Sequence, residues 1–129
     1  MQKLKRGYRD LVRDAEQEVT TLTPAEANER AKQPHTLLVD IRDIRELKQE
    51  GKIPGAVHVP RGMLEFWIDP ECSYYKSFFD DAEEIIFYCK SGWRSALAAQ
   101  TAQNMGVPNV AHIAGGFGRW LEDIGTCED

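Results

Sequence analysis

The chain has 129 residues, of which 42% are hydrophobic and 29% charged, a length and balance that suit one globular domain. A domain of this size buries roughly two-thirds of its unfolded surface, so its core needs no metal or disulfide. With 16 basic and 21 acidic residues the net charge is -5, which speaks against nucleic acid as a partner, because phosphate contacts need a basic surface. No apolar run approaches the roughly 18 residues of a membrane helix. The segment "MQKLKRGYRDLVRDAEQEV" lacks the apolar stretch of a secretory signal. A cytoplasmic protein with no membrane partner is expected. The three cysteines, Cys72, Cys89 and Cys127, are odd in number and far apart. They fit neither a disulfide framework nor a zinc site, and in a reducing compartment they are thiols.

Residues 3–18 read as an amphipathic helix, with Leu4, Tyr8, Leu11, Val12 and Ala15 at helical spacing. It packs on the domain or meets a second copy, so monomer and homodimer both stay open. It is taken as an extension, 1–18, to a domain over 19–129. A short strand is expected near Val19–Leu22. Thr23-Pro24-Ala25-Glu26 then starts a helix with a cap, a first-turn proline and an acid. "TLLVDI" suits a central buried strand. "IRELKQEG" gives one or two helical turns closed by Gly51. "AVHVP" reads as a short strand, "RGMLEFWI" as helical and "EIIFYC" as a second buried strand. "SALAAQTAQNMG" is the strongest helix, ended by Gly106. "NVAHI" and "FGRWLEDIG" supply a last strand and a closing helix. The alternation predicts an α/β fold: a central parallel sheet of about five strands with helices on both faces, preceded by the extra helix.

In such sheets ligands bind beyond the carboxyl ends of the strands. Cys89 lies at such an end, in "IIFYCKSGWRSALAAQ". A helix beginning near Arg94 or Ser95 aims its free amides and positive pole back at the turn. Successive amides on a tight loop suit an anion, and Gly92 gives the backbone freedom that a tight ring needs. Lys90 and Arg94 add positive charge. Together these favour thiolate over thiol and make Cys89 a candidate nucleophile. A buried structural cysteine is the plain alternative, but it leaves the glycine, the cations and the strand-to-helix setting unexplained.

Four segments now carry a resemblance. "LLVDIRDIREL", "GKIPGAVHVP", "YCKSGWRSALAA" and "IAGGFGRW" resemble, in order and spacing, the elements of the rhodanese-like domain family of sulfurtransferases. Lys52 stands where that family usually has histidine. The match runs from about Leu37 to Trp120 and leaves out the N-terminal helix. The resemblance implies a parallel sheet flanked by helices. It also implies a double displacement: Cys89 takes the outer sulfur of a donor such as thiosulfate as a persulfide, then passes it to cyanide, a small thiol or an acceptor protein. The amides of Lys90, Ser91, Gly92, Trp93 and Arg94 would hold the persulfide, with the Ser91 hydroxyl as a further donor. A non-enzymatic persulfide carrier or protein-binding module is the alternative. Related phosphatases and arsenate reductases use Cys-x5-Arg with a histidine before the cysteine. Here the spacing is Cys-x4-Arg and Tyr88 precedes Cys89, so a phosphatase is the lesser reading.

Asp40 and Arg42 are expected at the carboxyl end of the "TLLVDI" strand. Asp40 holds the turn or pairs with a cation; Arg42 is structural or faces an anionic donor. Trp93 walls the pocket or packs on a neighbouring helix. The three histidines, His35, His58 and His112, are too far apart to share a metal and are expected at turns or strand ends. No cofactor motif is present, "IAGGFGRW" matching no dinucleotide pattern. "EFWIDPECSYYKSFF" covers the sheet or lines the mouth of the site. Cys72 and Cys127 are candidate resolving thiols, and the tail "TCED" reads as frayed.

Overall fold

A computed structural model describes residues 1–129. Five parallel strands form one sheet in the order β1-β5-β4-β2-β3, where β1 is Thr20–Leu22, β2 Thr36–Asp40, β3 Val57–His58, β4 Glu84–Tyr88 and β5 Val110–Ile113. The helices are α1 (Tyr8–Glu18), α2 (Pro24–Ala31), α3 (Ile44–Glu50), α4 (Leu64–Trp67), α5 (Trp93–Asn104) and α6 (Gly116–Asp123). The expected α/β architecture is therefore present, with the extra N-terminal helix. No helix is long and apolar enough to cross a membrane.

Alternation along β4 builds the two faces of the core. Ile85, Phe87 and Cys89 point to one side, among Val39, Ile41 and the alanines Ala98, Ala99 and Ala102 of α5. Ile86 and Tyr88 point to the other, among Leu38, Ile113, Phe117 and Trp120. The small alanine face lets α5 lie close on the sheet, which fixes its first turn directly beyond the end of β4. The chain thus leaves the buried strand at Tyr88 and re-enters a helix at Trp93 with four residues between.

Local boundaries follow from caps. Thr23 accepts from the Glu26 amide, and Glu26 reaches back to the Thr23 amide, so α2 starts at Pro24. The N-terminal helix starts at Tyr8, later than the expected residue 3, because Gly7 is extended and its amide donates to Asp10. It packs against α5 and β1. The side-chain amides of Gln100 and Gln103 donate to the Glu18 carboxylate and carbonyl, which ties its end down. "RGMLEFWI" is divided into a single 3-10 turn, Arg61–Met63, and the one-turn α4. In the aromatic-rich segment, Phe79 is buried, Trp67, Tyr75 and Phe78 pack on the core, and Phe66 and Tyr74 are exposed.

The C-terminal tail is not frayed. Lys52 and Glu128 exchange backbone hydrogen bonds of 2.8 and 2.9 Å, and the Lys52 ammonium is 2.7 Å from the Glu128 carboxylate. The Trp120 indole also donates to the Thr126 carbonyl at 2.8 Å. Cys127 is exposed yet sits on an anchored segment.

Candidate active site

The loop from Cys89 to Arg94 closes over its own cysteine sulfur. The Gly92 amide donates to Sγ at 3.2 Å and the Ser95 amide at 3.4 Å. Gly92 has φ 104°, a left-handed conformation that brings its amide inward. Cys89 is only 1% exposed, so the thiol lies inside the ring. The two amides belong to the start of α5, whose unpaired donors and positive pole therefore act on the sulfur. The expectation of five successive amides narrows to these two, one of them beyond Arg94.

A second helix supports the ring from below. The Phe117 and Gly118 amides at the start of α6 donate to the carbonyls of Cys89 (2.7 Å) and Lys90 (3.0 Å). Gly116 permits this approach. It has φ 58°, and a Cβ there would lie 2.4 Å from the Cys89 carbonyl oxygen.

Neither loop cation is free. The Arg94 guanidinium makes a two-pronged pair with Glu46 at 2.8 and 3.1 Å. That contact holds the Glu46 carboxyl below the ordinary carboxylate range. The Lys90 ammonium is 2.5 Å from Glu50. Glu46 and Glu50 are one turn apart on α3, so a single helix face serves both cations. The expected positive field around Cys89 is therefore largely neutralised, and the amides carry the anion-binding character.

Arg42 belongs to the scaffold. It is fully buried, with Nη2 2.7 Å from both Asp40 and the Gly51 carbonyl, and Nη1 3.4 Å from Glu50. Its guanidinium carbon lies 4.5 Å from the Phe117 ring centroid. Of its two expected roles, facing a donor is overturned: its donors are consumed by Asp40, Gly51 and Glu50. Asp40 pairs with it as the structural reading expects. Asp40, Arg42, Glu50 and Lys90 thereby form one chain of charge from the end of β2 to the loop.

Ser91 is exposed on the loop. Trp93 is 55% exposed, and its ring centroid is 4.8 Å from that of Tyr8, so it packs on α1 at the outer edge of the ring. His35 and His58 sit at a turn and a strand end as expected. His112 does not. It lies inside β5, fully buried, with Nδ1 3.1 Å from the Ser95 hydroxyl and Nε2 3.1 Å from Thr21 Oγ1. The Cys89 thiol in turn donates to Ser95 Oγ at 3.5 Å. Burial pushes the imidazole down to about 4, so it is neutral at neutral pH. The sequence assigns no site role to Glu46, Glu50 or Gly116, marks Ser95 only as a helix start, and expects His112 only at a turn or strand end. The i,i+4 acids on α3 and the hydroxyl directly after Arg94 were the available signals. A cavity of about 550 Å³ is lined by Ile85 and Pro108 at the amino ends of β4 and β5, the opposite edge from Cys89.

Fold and site together define an α/β domain with a cysteine held in an amide ring at the carboxyl edge of its sheet. The profile of the family described as "Rhodanese-like domain" matches residues 23–123, and the chain belongs to that family. The human "Thiosulfate:glutathione sulfurtransferase" is 31% identical over 91 residues, which cover 66% of this chain and 78% of that protein. The mouse "Thiosulfate sulfurtransferase/rhodanese-like domain-containing protein 3" is 29% identical over 66% of this chain, and the match spans 57% of its length. A solved structure from Rhodopseudomonas palustris CGA009 is 46% identical, covers 99% of this chain and 98% of its own, and superposes with a TM-score of 0.92. That protein is described as of unknown function and as a possible tyrosine phosphatase.

Proposed function

We propose that this protein is a sulfurtransferase that works through a persulfide on Cys89. The observation that carries the reading is the ring itself: Sγ receives the Gly92 and Ser95 amides at the positive end of α5. In the first step the Cys89 thiolate attacks the outer sulfur of a donor such as thiosulfate. A sulfur–sulfur bond forms, the donor's own sulfur–sulfur bond breaks, and sulfite leaves with the electron pair. In the second step an acceptor thiolate or cyanide attacks the outer sulfur and the Cys89 thiolate returns. The amides stabilise negative charge on sulfur in both steps. The name of the human relative, a thiosulfate:glutathione sulfurtransferase, supports thiosulfate as donor and glutathione as acceptor.

Three features favour sulfur over phosphate. The ring is Cys-x4-Arg, tighter than the loop that surrounds a phosphoryl group. Arg94 is held by Glu46 on both prongs, so a phosphoryl dianion would have to displace a carboxylate. The residue before Cys89 is Tyr88, whose phenol burial pushes up and whose oxygen accepts from the Ile53 amide at 3.1 Å. It offers no proton to the ring.

The test is steady-state turnover of thiosulfate with glutathione or cyanide as acceptor. Parallel lines in double-reciprocal plots are the expected signature of the double displacement. Hydrolysis of an aryl phosphate without sulfur turnover overturns the reading in favour of the phosphatase. Stable sulfur loading with very slow release to small acceptors points to a carrier that hands sulfur to a protein thiol.

A further inference from the structure

Cys89 is 1% exposed, so almost none of its thiol meets water directly. Its proton therefore needs another way out. Behind the ring runs an unbroken series of polar contacts: Cys89 Sγ to Ser95 Oγ (3.5 Å), Ser95 Oγ to His112 Nδ1 (3.1 Å), and His112 Nε2 to Thr21 Oγ1 (3.1 Å). The Glu16 carboxylate lies 3.7 Å from Nε2 and is 43% exposed. The series thus ends at the surface between α1 and β1. A fully buried imidazole among Val110, Ala111 and Ile113 is costly unless partnered, and an apolar side chain would fill the space without that cost.

We propose that His112, acting through Ser95, governs the ionisation of Cys89 by switching between its two neutral tautomers. With Cys89 as thiol, S–H donates to Ser95 Oγ, Ser95 O–H donates to Nδ1, and Nε2–H donates towards Thr21 and Glu16. On ionisation each member hands one proton onward. The S–H bond breaks, Ser95 O–H then donates to the thiolate, Nδ1–H donates to Ser95, and Nε2 accepts from Thr21. One proton leaves at the Thr21–Glu16 end to the carboxylate or to water, and no oxidant or reductant is needed. Ser95 and His112 are positioning residues: they turn a hydroxyl donor onto the sulfur when it becomes negative.

Other charged groups stand at either end of the series. Arg94 and Lys90 share the loop with Cys89 and are paired with Glu46 and Glu50. Asp40 and Arg42, from the end of β2, neutralise one another. Glu16 of α1 is the carboxylate facing His112. The inference rests on Cys89 being the nucleophile of the proposed transfer, but its test needs no sulfur donor.

In a Cys72→Ser, Cys127→Ser background Cys89 is the sole thiol, and its iodoacetamide alkylation and thiolate absorbance are followed against pH. Ser95→Ala and His112→Phe are expected to slow alkylation at neutral pH by about tenfold or more and to move the pH profile upward. His112→Asn, whose amide can hydrogen-bond Ser95 but has no second tautomer to pass a proton on, is expected to stay nearly as slow as His112→Phe. A Ser95→Ala profile that overlays wild type overturns the proposal, even where His112→Phe does not fold. So does a His112→Asn variant as fast as wild type, which would mean that a hydrogen bond to Ser95 suffices without a tautomer switch. Variants that show these shifts, beside a wild-type protein that takes up no sulfur, refute the sulfurtransferase reading and leave this one standing; sulfur uptake by wild type with no shift in the variants does the reverse.

Discussion

Replacing Gly116 with alanine tests how the ring is held. The residue has φ 58°, and its new Cβ would meet the Cys89 carbonyl oxygen at 2.4 Å and the Lys90 carbonyl carbon at 2.6 Å. The partners are backbone atoms, so no side chain can rotate away. The left-handed conformation alone costs an L-residue about 1 kcal/mol. Displacing α6 from the loop also weakens the Phe117 and Gly118 hydrogen bonds to the Cys89 and Lys90 carbonyls, each contributing about 1 kcal/mol. The sum is about 3 kcal/mol. Gly106 is the control, with φ 98° and nothing within 4 Å of a Cβ; Gly106→Ala carries only the backbone cost of about 1 kcal/mol. In urea, with a slope of about 1.5 kcal/mol per molar, the two midpoints should stand more than about 1 M apart. Gly116→Ala should also slow alkylation of Cys89, and Gly106→Ala should leave it unchanged. Equal midpoints for the two variants would refute the claim that α6 buttresses the ring through Gly116.

Three further outcomes follow from the geometry. Arg42→Met leaves the Asp40 carboxylate buried beside an apolar chain and removes a tether of Glu50, so unfolding in urea should show a loss of about 3–5 kcal/mol. Burial holds His112 at about 4, below the ordinary imidazole value of 6.5, so the unfolded chain binds a proton more readily than the folded one. Its contribution is present above pH 6.5 and is lost as pH falls from 6.5 towards 4, by up to about 3 kcal/mol. Stability curves of wild type and His112→Asn should therefore converge across that interval, and curves that stay parallel would contradict the assignment. A double-mutant cycle with Trp93→Ala and Tyr8→Ala should give a coupling of about 0.5–1.5 kcal/mol; zero coupling would mean that the two rings merely lie near each other.

Much of the fold can be read from the sequence because its signals are local. "TLLVDI" and "EIIFYC" are apolar runs of strand length, the alanines of α5 mark a helix that lies flat on a sheet, and Thr23 to Glu26 spell out a complete cap. The position of Cys89 follows from the same reasoning, since a strand end next to a helix start needs no tertiary information. What escapes is what depends on elements meeting across space. Lys90 and Arg94 look like free cations until α3 is placed, and only then do Glu46 and Glu50 neutralise them. Arg42 looks like an anion receptor until Asp40 and the Gly51 carbonyl are seen to occupy it. His112 sits in a strand whose four residues are all buried, so no alternation singles it out as a partner of Ser95. The tail looks frayed because its anchor, Lys52, lies far away in sequence.

The central claim is that Cys89 accepts sulfur. Incubation with thiosulfate followed by intact-mass measurement tests it most directly. The account predicts a gain of one sulfur atom, reversed by cyanide with release of one equivalent of thiocyanate, and no gain in Cys89→Ser. An unchanged mass in the wild type, or the same gain in Cys89→Ser, would contradict it.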